Sequence, residues 1–286
     1  MKMKYNLLFV LLFGSNVFAQ SHYPGLTHPT QKIFEKDVPS LNSLLSSGIS
    51  ANPDIKKSEV SDMRRSAIEE IATSLGASGG LSNRMRERRA ELEVNAAQLD
   101  QIFDFSKMII DNGVLAPILT EGLSNYSQES NDQVRIADKI YKIEGRARFV
   151  SVYPTWRNYL LFSFPTYDLP AKAYLPQNDA EKIIWDSAVK KGWEKGKRQA
   201  DDIIETSYAR LDRDYKGMIK YKILLAEGLI TPTIIAKQNL GVTGGGDEMS
   251  INDQIFRITD HSTLNPNQQQ WKVEYPITNN VNGVLK

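Results

Sequence analysis

The sequence predicts an α+β fold: a helix-rich single domain with a small sheet built from two pseudo-repeated two-stranded ribbons. Three observations predict it. The chain echoes itself at a spacing of 115 residues, two long stretches carry apolar residues three and four apart, and each is followed by strand-like alternation. In the echo, Gly113-Val114-Leu115-Ala116-Pro117 returns as Gly228-Leu229-Ile230-Thr231-Pro232. At the same offset Ile136-Ala137-Asp138-Lys139-Ile140-Tyr141-Lys142-Ile143 returns as Ile251-Asn252-Asp253-Gln254-Ile255-Phe256-Arg257-Ile258. A doubled unit describes an architecture, not a reaction.

The elements follow in order. Lys2 and Lys4, the apolar run Leu7 to Phe13 and the Val17-Phe18-Ala19 site read as a secretory signal peptide over residues 1–19. Residues 20–56 are rich in Ser, Pro, Asn and Gly and read as a flexible lead-in that orders against a partner. A core domain spans 57–262, with halves of about 57–150 and 178–262. Val60, Met63, Ala67, Ile71 and Leu75 mark a first helix, capped by Ser58 or Ser61 and ended or hinged by the glycines of 76–80. Met85, Leu92, Ala96, Leu99 and Phe103 mark a second, from Leu81 to Ile110.

Val114 to Leu119 reads as extended, with Pro117 at a strand start, Ser124 to Asp132 as a loop, and Arg135 to Val150 as strand-like. An insert at 151–177, broken by four prolines and rich in aromatics, has no counterpart in the other half. Asn178 with Glu181 signals the start of a further helix running to about Ala226, with a kink or break expected near Gly192, Gly196 or Gly217. Thr233–Leu240 and Ser250–Thr259 read as strands joined by the glycine loop 241–247, and 263–286 as a loose tail partly pinned by Trp271 and Val273. A two-stranded ribbon is marginal alone, so the two ribbons are expected to join in one sheet under the helices.

Composition excludes several function classes. Without the two leader lysines the chain has 33 basic and 34 acidic residues, which gives no electrostatic basis for direct nucleic-acid binding. There is no cysteine, hence no disulfide, thiolate metal site or thiol nucleophile. Beyond the leader no stretch approaches the ~20 apolar residues of a membrane span. His22, His28 and His261 form no metal-ligand spacing, and no cofactor site is expected. Gly241 to Gly246 opens like a phosphate loop, but Asp247 and Glu248 stand where Lys and Ser/Thr would be needed. Arg84, Arg86, Arg88 and Arg89 read as a solvated helix face with Glu87 and Glu91 as partners, with a docking patch for an anionic partner as the alternative. Asp138 and Asp253, repeated acids, are the best candidate carboxylate pair; a periplasmic glycan hydrolase would use them. Their place at repeated strands also fits turn closure.

Several segments together carry a resemblance: Ala72–Leu81 (ATSLGASGGL), Pro154–Leu160 (PTWRNYL), Lys191–Glu194 (KGWE), Arg213–Met218 (RDYKGM), Leu240–Gly244 (LGVTG) and Ile251–Gln254 (INDQ). From about residue 60 to 260 the chain resembles the DotC family of type IVB secretion systems and its TraI counterpart in IncI-type conjugative plasmids, a TraI unrelated to the F-type relaxase of that name. The resemblance implies a non-enzymatic subunit of a periplasmic and outer-membrane core complex. There it would work with a DotD-like lipoprotein to bring a DotH-like protein to the outer membrane, within a multi-subunit ring. Members carry a lipidated cysteine after the leader; Ala19-Gln20 stands here, so membrane association is expected through partners. Trp156, Arg157 and Tyr159 are the expected interface contacts, with core packing as the alternative for each. The rival readings are the glycan hydrolase and a soluble periplasmic assembly chaperone.

Overall fold

The computed structural model describes residues 38–47, 60–128, 130, 132–161, 163 and 170–273. The signal peptide and the end of the tail, residues 274–286, lie outside them. The described chain is α+β, as expected. Its helices are α1 (Leu41–Ser46), α2 (Asp62–Val94), α3 (Ala96–Ile102), α4 (Trp156–Leu160) and α5 (Asp179–Glu227). Its strands are β1 (Ile109–Ile110), β2 (Val114–Leu115), β3 (Ile118–Gln128), β4 (Val134–Gly145), β5 (Arg148–Phe149), β6 (Ile234–Gly245) and β7 (Glu248–Asp260). No described helix is long and apolar enough to cross a membrane.

Two expectations about the helices are corrected. Gly76, Gly79 and Gly80 do not end a helix; α2 runs through them from its Ser61 cap to Val94. Nor does α5 break: its 49 residues run from the Asn178 cap to Gly228, about 73 Å at ~1.5 Å per residue. One physical reason covers both. A Cβ at Gly76 would overlap the Val189 carbonyl, and one at Gly80 the Trp193 carbonyl. Conversely, a Cβ at Gly192 would overlap the Thr73 carbonyl and one at Gly196 the Ala77 carbonyl. The glycines are where two backbones meet, and close approach compensates the ~0.5–1 kcal/mol that each costs inside a helix.

The contacts ascend together, so α2 and α5 run parallel. They are also reciprocal. Residues 116 apart are equivalent, so Gly76 on Val189 and Thr73 on Gly192 are the same contact made twice, as are Gly80 on Trp193 and Ala77 on Gly196. That is the signature of an isologous, twofold interface, here formed within one chain. Arg64 with Glu181 (3.0 Å), and Arg84 and Arg88 with Asp201 (3.0 and 2.8 Å), flank the seam. The arginine cluster therefore has a partner on α5 in addition to Glu87 and Glu91. Burial pushes the Asp201 carboxyl up, but the two guanidiniums together hold it below its ordinary value.

The ribbons repeat too. Ile118 pairs with Gly145 and Leu119 with Ile143, across a bulge; Ile234 pairs with Asp260 and Ile235 with Ile258, across the same bulge. Gly113 and Gly228, which open the echoed segment, both need the left-handed backbone, at φ 74° and 80°. The expectation of one joint sheet is not met. β3–β4 and β6–β7 are separate two-stranded sheets, and a third small sheet has the order β1-β2-β5. The reason lies along α5. β3 lies on this helix at Gly217, where a Cβ would stand 2.7 Å from Leu119 O, while β6–β7 departs beyond the helix's end at Gly228 and packs chiefly on itself. The strands are also longer than the loops predicted. β3 continues to Gln128, and β6 runs through the glycines to a turn at Gly246-Asp247, its pairing shifted near Gly241 (φ 78°) and Asn252 (φ 60°).

Two apolar clusters lie along α5. One gathers Leu44, Ile68, Ala72, Leu75, Trp185, Val189 and Trp193 around the glycine seam. The other gathers Phe103, Phe105, Leu115, Leu119, Trp156, Tyr159, Leu211, Met218, Tyr221 and Leu224 at the ribbon end. Part of the predicted lead-in belongs to the first: α1 packs on α2 and α5, with Leu44 fully buried. The start of the predicted tail is fixed as well. Lys272 N donates to Glu227 O (2.8 Å) and Trp271 Nε1 to Asn265 O (2.9 Å).

Candidate protein–protein interface

The three residues expected at an interface occupy α4. Asn158 Oδ1 accepts from Thr155 N at 2.8 Å and holds the helix start. Trp156 is fully buried, its Nε1 donating to Asp100 Oδ1 at 2.7 Å; Tyr159 is buried too, stacked on Phe105 at 5.9 Å, its hydroxyl donating to Asp214 Oδ2 at 3.2 Å. Their surfaces are taken up by the core that joins α3, α4 and α5. Arg157 stays partly exposed, lying 4.3 Å over the Trp156 ring and pairing with Asp100 at 2.6 Å. The Arg157 guanidinium, with the Trp156 indole, holds the Asp100 carboxyl below its ordinary value. Of the three, Arg157 is the one whose surface remains open to a partner.

The open apolar surface lies on the ribbons. In β4, Tyr141 and Ile143 pack toward the core. Successive side chains alternate, so Val134, Ile136, Asp138 and Ile140 point the other way. Such an outward face is ordinarily polar; here Val134, Ile136 and Ile140 stand exposed on it, Ile136 to 70%. In β7, 115 residues on, Met249 and Ile251 are likewise exposed on one face, Ile251 to 66%; Ile255 is exposed too, but the unpaired Asn252 breaks the alternation and puts it on the opposite face. Cross-strand neighbours extend both stripes. Tyr126 pairs with Ile136 and Val242 with Ile251, and Tyr126 and Val242 are exposed. Scattered exposed apolar residues are normal; a contiguous stripe that recurs at equivalent positions marks a contact surface.

Asp138 sits inside the first stripe, between Ile136 and Ile140, whereas Asp253, past the bulge at Asn252, lies on the face opposite Ile251; the two ribbons share no hydrogen-bonded sheet. Asp138 is exposed, and Asp253 Oδ2 accepts from Thr243 Oγ1 at 2.6 Å. The first ribbon is fixed at its base by Glu121, which pairs with Lys220 of α5 and Lys139 of β4 and accepts from the Tyr141 hydroxyl at 3.2 Å. Lys220 foremost keeps the Glu121 carboxyl below its ordinary range, against the opposing effect of burial. Sequence reading found the repeated strands but not that their outward faces are apolar. The available signal was that both parities of β4 carry large apolar residues. No group of His, Asp or Glu suited to hold a metal occurs among the described residues.

Comparison with known families gives one match: a family described as type IV secretory system, conjugal DNA-protein transfer (TraI), over residues 62–273. The match begins with α2 and ends just past Trp271, taking in both halves, the glycine seam and both ribbons. No curated protein matches the chain.

Proposed function

This chain belongs to the TraI family of type IV secretion components, and we propose that it serves there as a non-enzymatic structural subunit of a periplasmic core complex at the outer membrane. On this reading the leader exports the chain and partners hold it at the membrane. Its task is to help place a DotH-like protein there, beside a DotD-like lipoprotein. The observation that carries the proposal is the apolar stripe displayed on both ribbons, on faces that a monomeric protein would make polar. The chemistry of the fold supports it. A rigid pair of parallel helices holds two projecting ribbons, and burying their stripes against neighbouring subunits would stabilise an assembly without any reacting group.

Affinity purification of the tagged chain from membrane extracts tests this. Secretion-system subunits are expected to come along, and to be lost when Ile136 and Ile251 are both changed to Asp. Recovery of the wild-type chain free of any such subunit would overturn the scaffold reading. Recovery with one newly made partner only, never with the assembled core, would favour an escorting chaperone.

A further inference from the structure

The first cluster contains a small receptor site whose present occupant is α1. Gly79 differs from the seam glycines on either side of it. A Cβ there would meet only side-chain ends: Leu44 Cδ1 at 2.7 Å, Trp193 Cζ3 at 3.2 Å and Pro39 Cγ at 3.3 Å. Gly76 and Gly80 make room for α5, whereas Gly79 makes room for Leu44. Two donors complete the notch. Trp185 Nε1 donates to Leu44 O at 3.2 Å and Lys182 Nζ to Leu45 O at 2.7 Å. These are carbonyls of a helix's last turn, which lack backbone partners within the helix; Leu44 O also accepts from Ser47 Oγ at 2.8 Å. The notch thus reads three things: a leucine plug, flanking leucines at positions 41 and 45, and the carbonyl end of one helical turn.

The occupant is held by this docking alone. Six residues are too few for an independent helix, and Leu44 is the buried residue of α1. Twelve residues separate Ser47 from Val60, enough to span up to about 40 Å when extended. The same segment therefore has the reach to seat in its own notch or in that of another molecule, and exchange of an identical element is a low-cost route to association.

We propose that this notch is an exchangeable docking site for a short Leu-x-x-Leu-Leu helical segment, filled by residues 41–46 of the isolated chain and, between copies, by the same segment of a second molecule. The inference is independent of the ribbons.

The test is a fluorescein-labelled peptide of residues 38–47, followed by anisotropy against the full chain. Leu44→Asp disables the chain's own plug, so saturable binding to that variant is expected. Binding to the wild type should be about tenfold weaker or more, because the competent state is depleted by the resident segment. Binding should vanish when the peptide carries Leu44→Asp, or when the chain carries Gly79→Val as well. Trp185, fully buried when α1 is docked, should give red-shifted emission in Leu44→Asp that the peptide reverses. If Leu44→Asp lowers the helical circular dichroism signal, Leu44→Ala, which only shortens the plug, repeats the series. Absence of saturable binding to the emptied notch, equal affinity for wild type, or binding that survives Gly79→Val would each overturn the proposal.

Discussion

Replacing Gly196 by Ala tests the helix seam through the sign of the effect. In an open helix the change stabilises by ~1 kcal/mol, because Ala is the better helix former. In this structure the new Cβ would stand 2.0 Å from Ala77 O, where ordinary contact begins at 3.4 Å. Roughly 1.4 Å of separation must then open between two helix backbones. Neither can yield locally, since the obstacle is a carbonyl within the α2 hydrogen-bond ladder. Overpacking of this kind costs ~1–3 kcal/mol, and a backbone obstacle belongs at the upper end. Set against the propensity gain, the net loss is about 2 kcal/mol. For a domain of this size that lowers the melting temperature by about 4–8 °C. Gly80→Ala should lose a similar amount, since it occupies the reciprocal position. Gly122→Ala, with nothing within 4 Å of its Cβ, should stay within about 0.5 kcal/mol of wild type. Thermal and urea unfolding followed by circular dichroism measure all three. A Gly196→Ala chain as stable as wild type, or more stable, would refute the close parallel seam.

Three further outcomes follow from the same structure. Trp156→Ala should cost ~3–5 kcal/mol, as for other buried aromatics, while Arg157→Ala, partly exposed beside it, should change stability little; urea midpoints separate the two. Glu181 is buried, and the Arg64 guanidinium foremost holds its carboxyl below the ordinary glutamate value. A depressed acid adds stability that is fully present above the unfolded-state pKa and lost as pH falls through the folded-state pKa. Glu181→Gln should therefore be less stable than wild type near neutral pH, with the difference shrinking below the ordinary glutamate pKa; unfolding midpoints across that range check it. Ile136→Asp and Ile251→Asp lie on outward faces and should leave the melting temperature of the isolated chain within a degree or two, which separates a surface role from a core role.

The architecture was legible where local chemistry repeats. The echoed glycines mark left-handed turns at 113 and 228, the caps Ser61 and Asn178 begin α2 and α5, and an offset of 115 to 116 residues reappears as equivalent ribbon pairing with its bulge. What escaped reading was tertiary. Glycine inside a helical pattern is as compatible with a stop as with a backbone contact, and only the position of α5 decides between them. Asp201 as partner of Arg84 and Arg88, and Leu44 as a plug over Gly79, depend on contacts more than 100 and about 35 residues apart in sequence. The aromatic segment Trp156–Tyr159 carries the residue types of an interface hot spot, yet Asp100, Phe105 and Asp214 of the same chain take up Trp156 and Tyr159. The outward isoleucines of the ribbons were read as ordinary strand residues, because alternation alone does not say which face meets solvent.

On the proposed function, this family member works through the surface that its ribbons present to neighbouring subunits. Conjugative transfer in a strain lacking the gene, complemented with the Ile136→Asp/Ile251→Asp chain, measures it most directly. With the variant present at wild-type abundance and melting temperature, transfer should remain at the level of the uncomplemented strain. Full restoration of transfer would contradict the claim, and the outward stripes would then have no part in the machine.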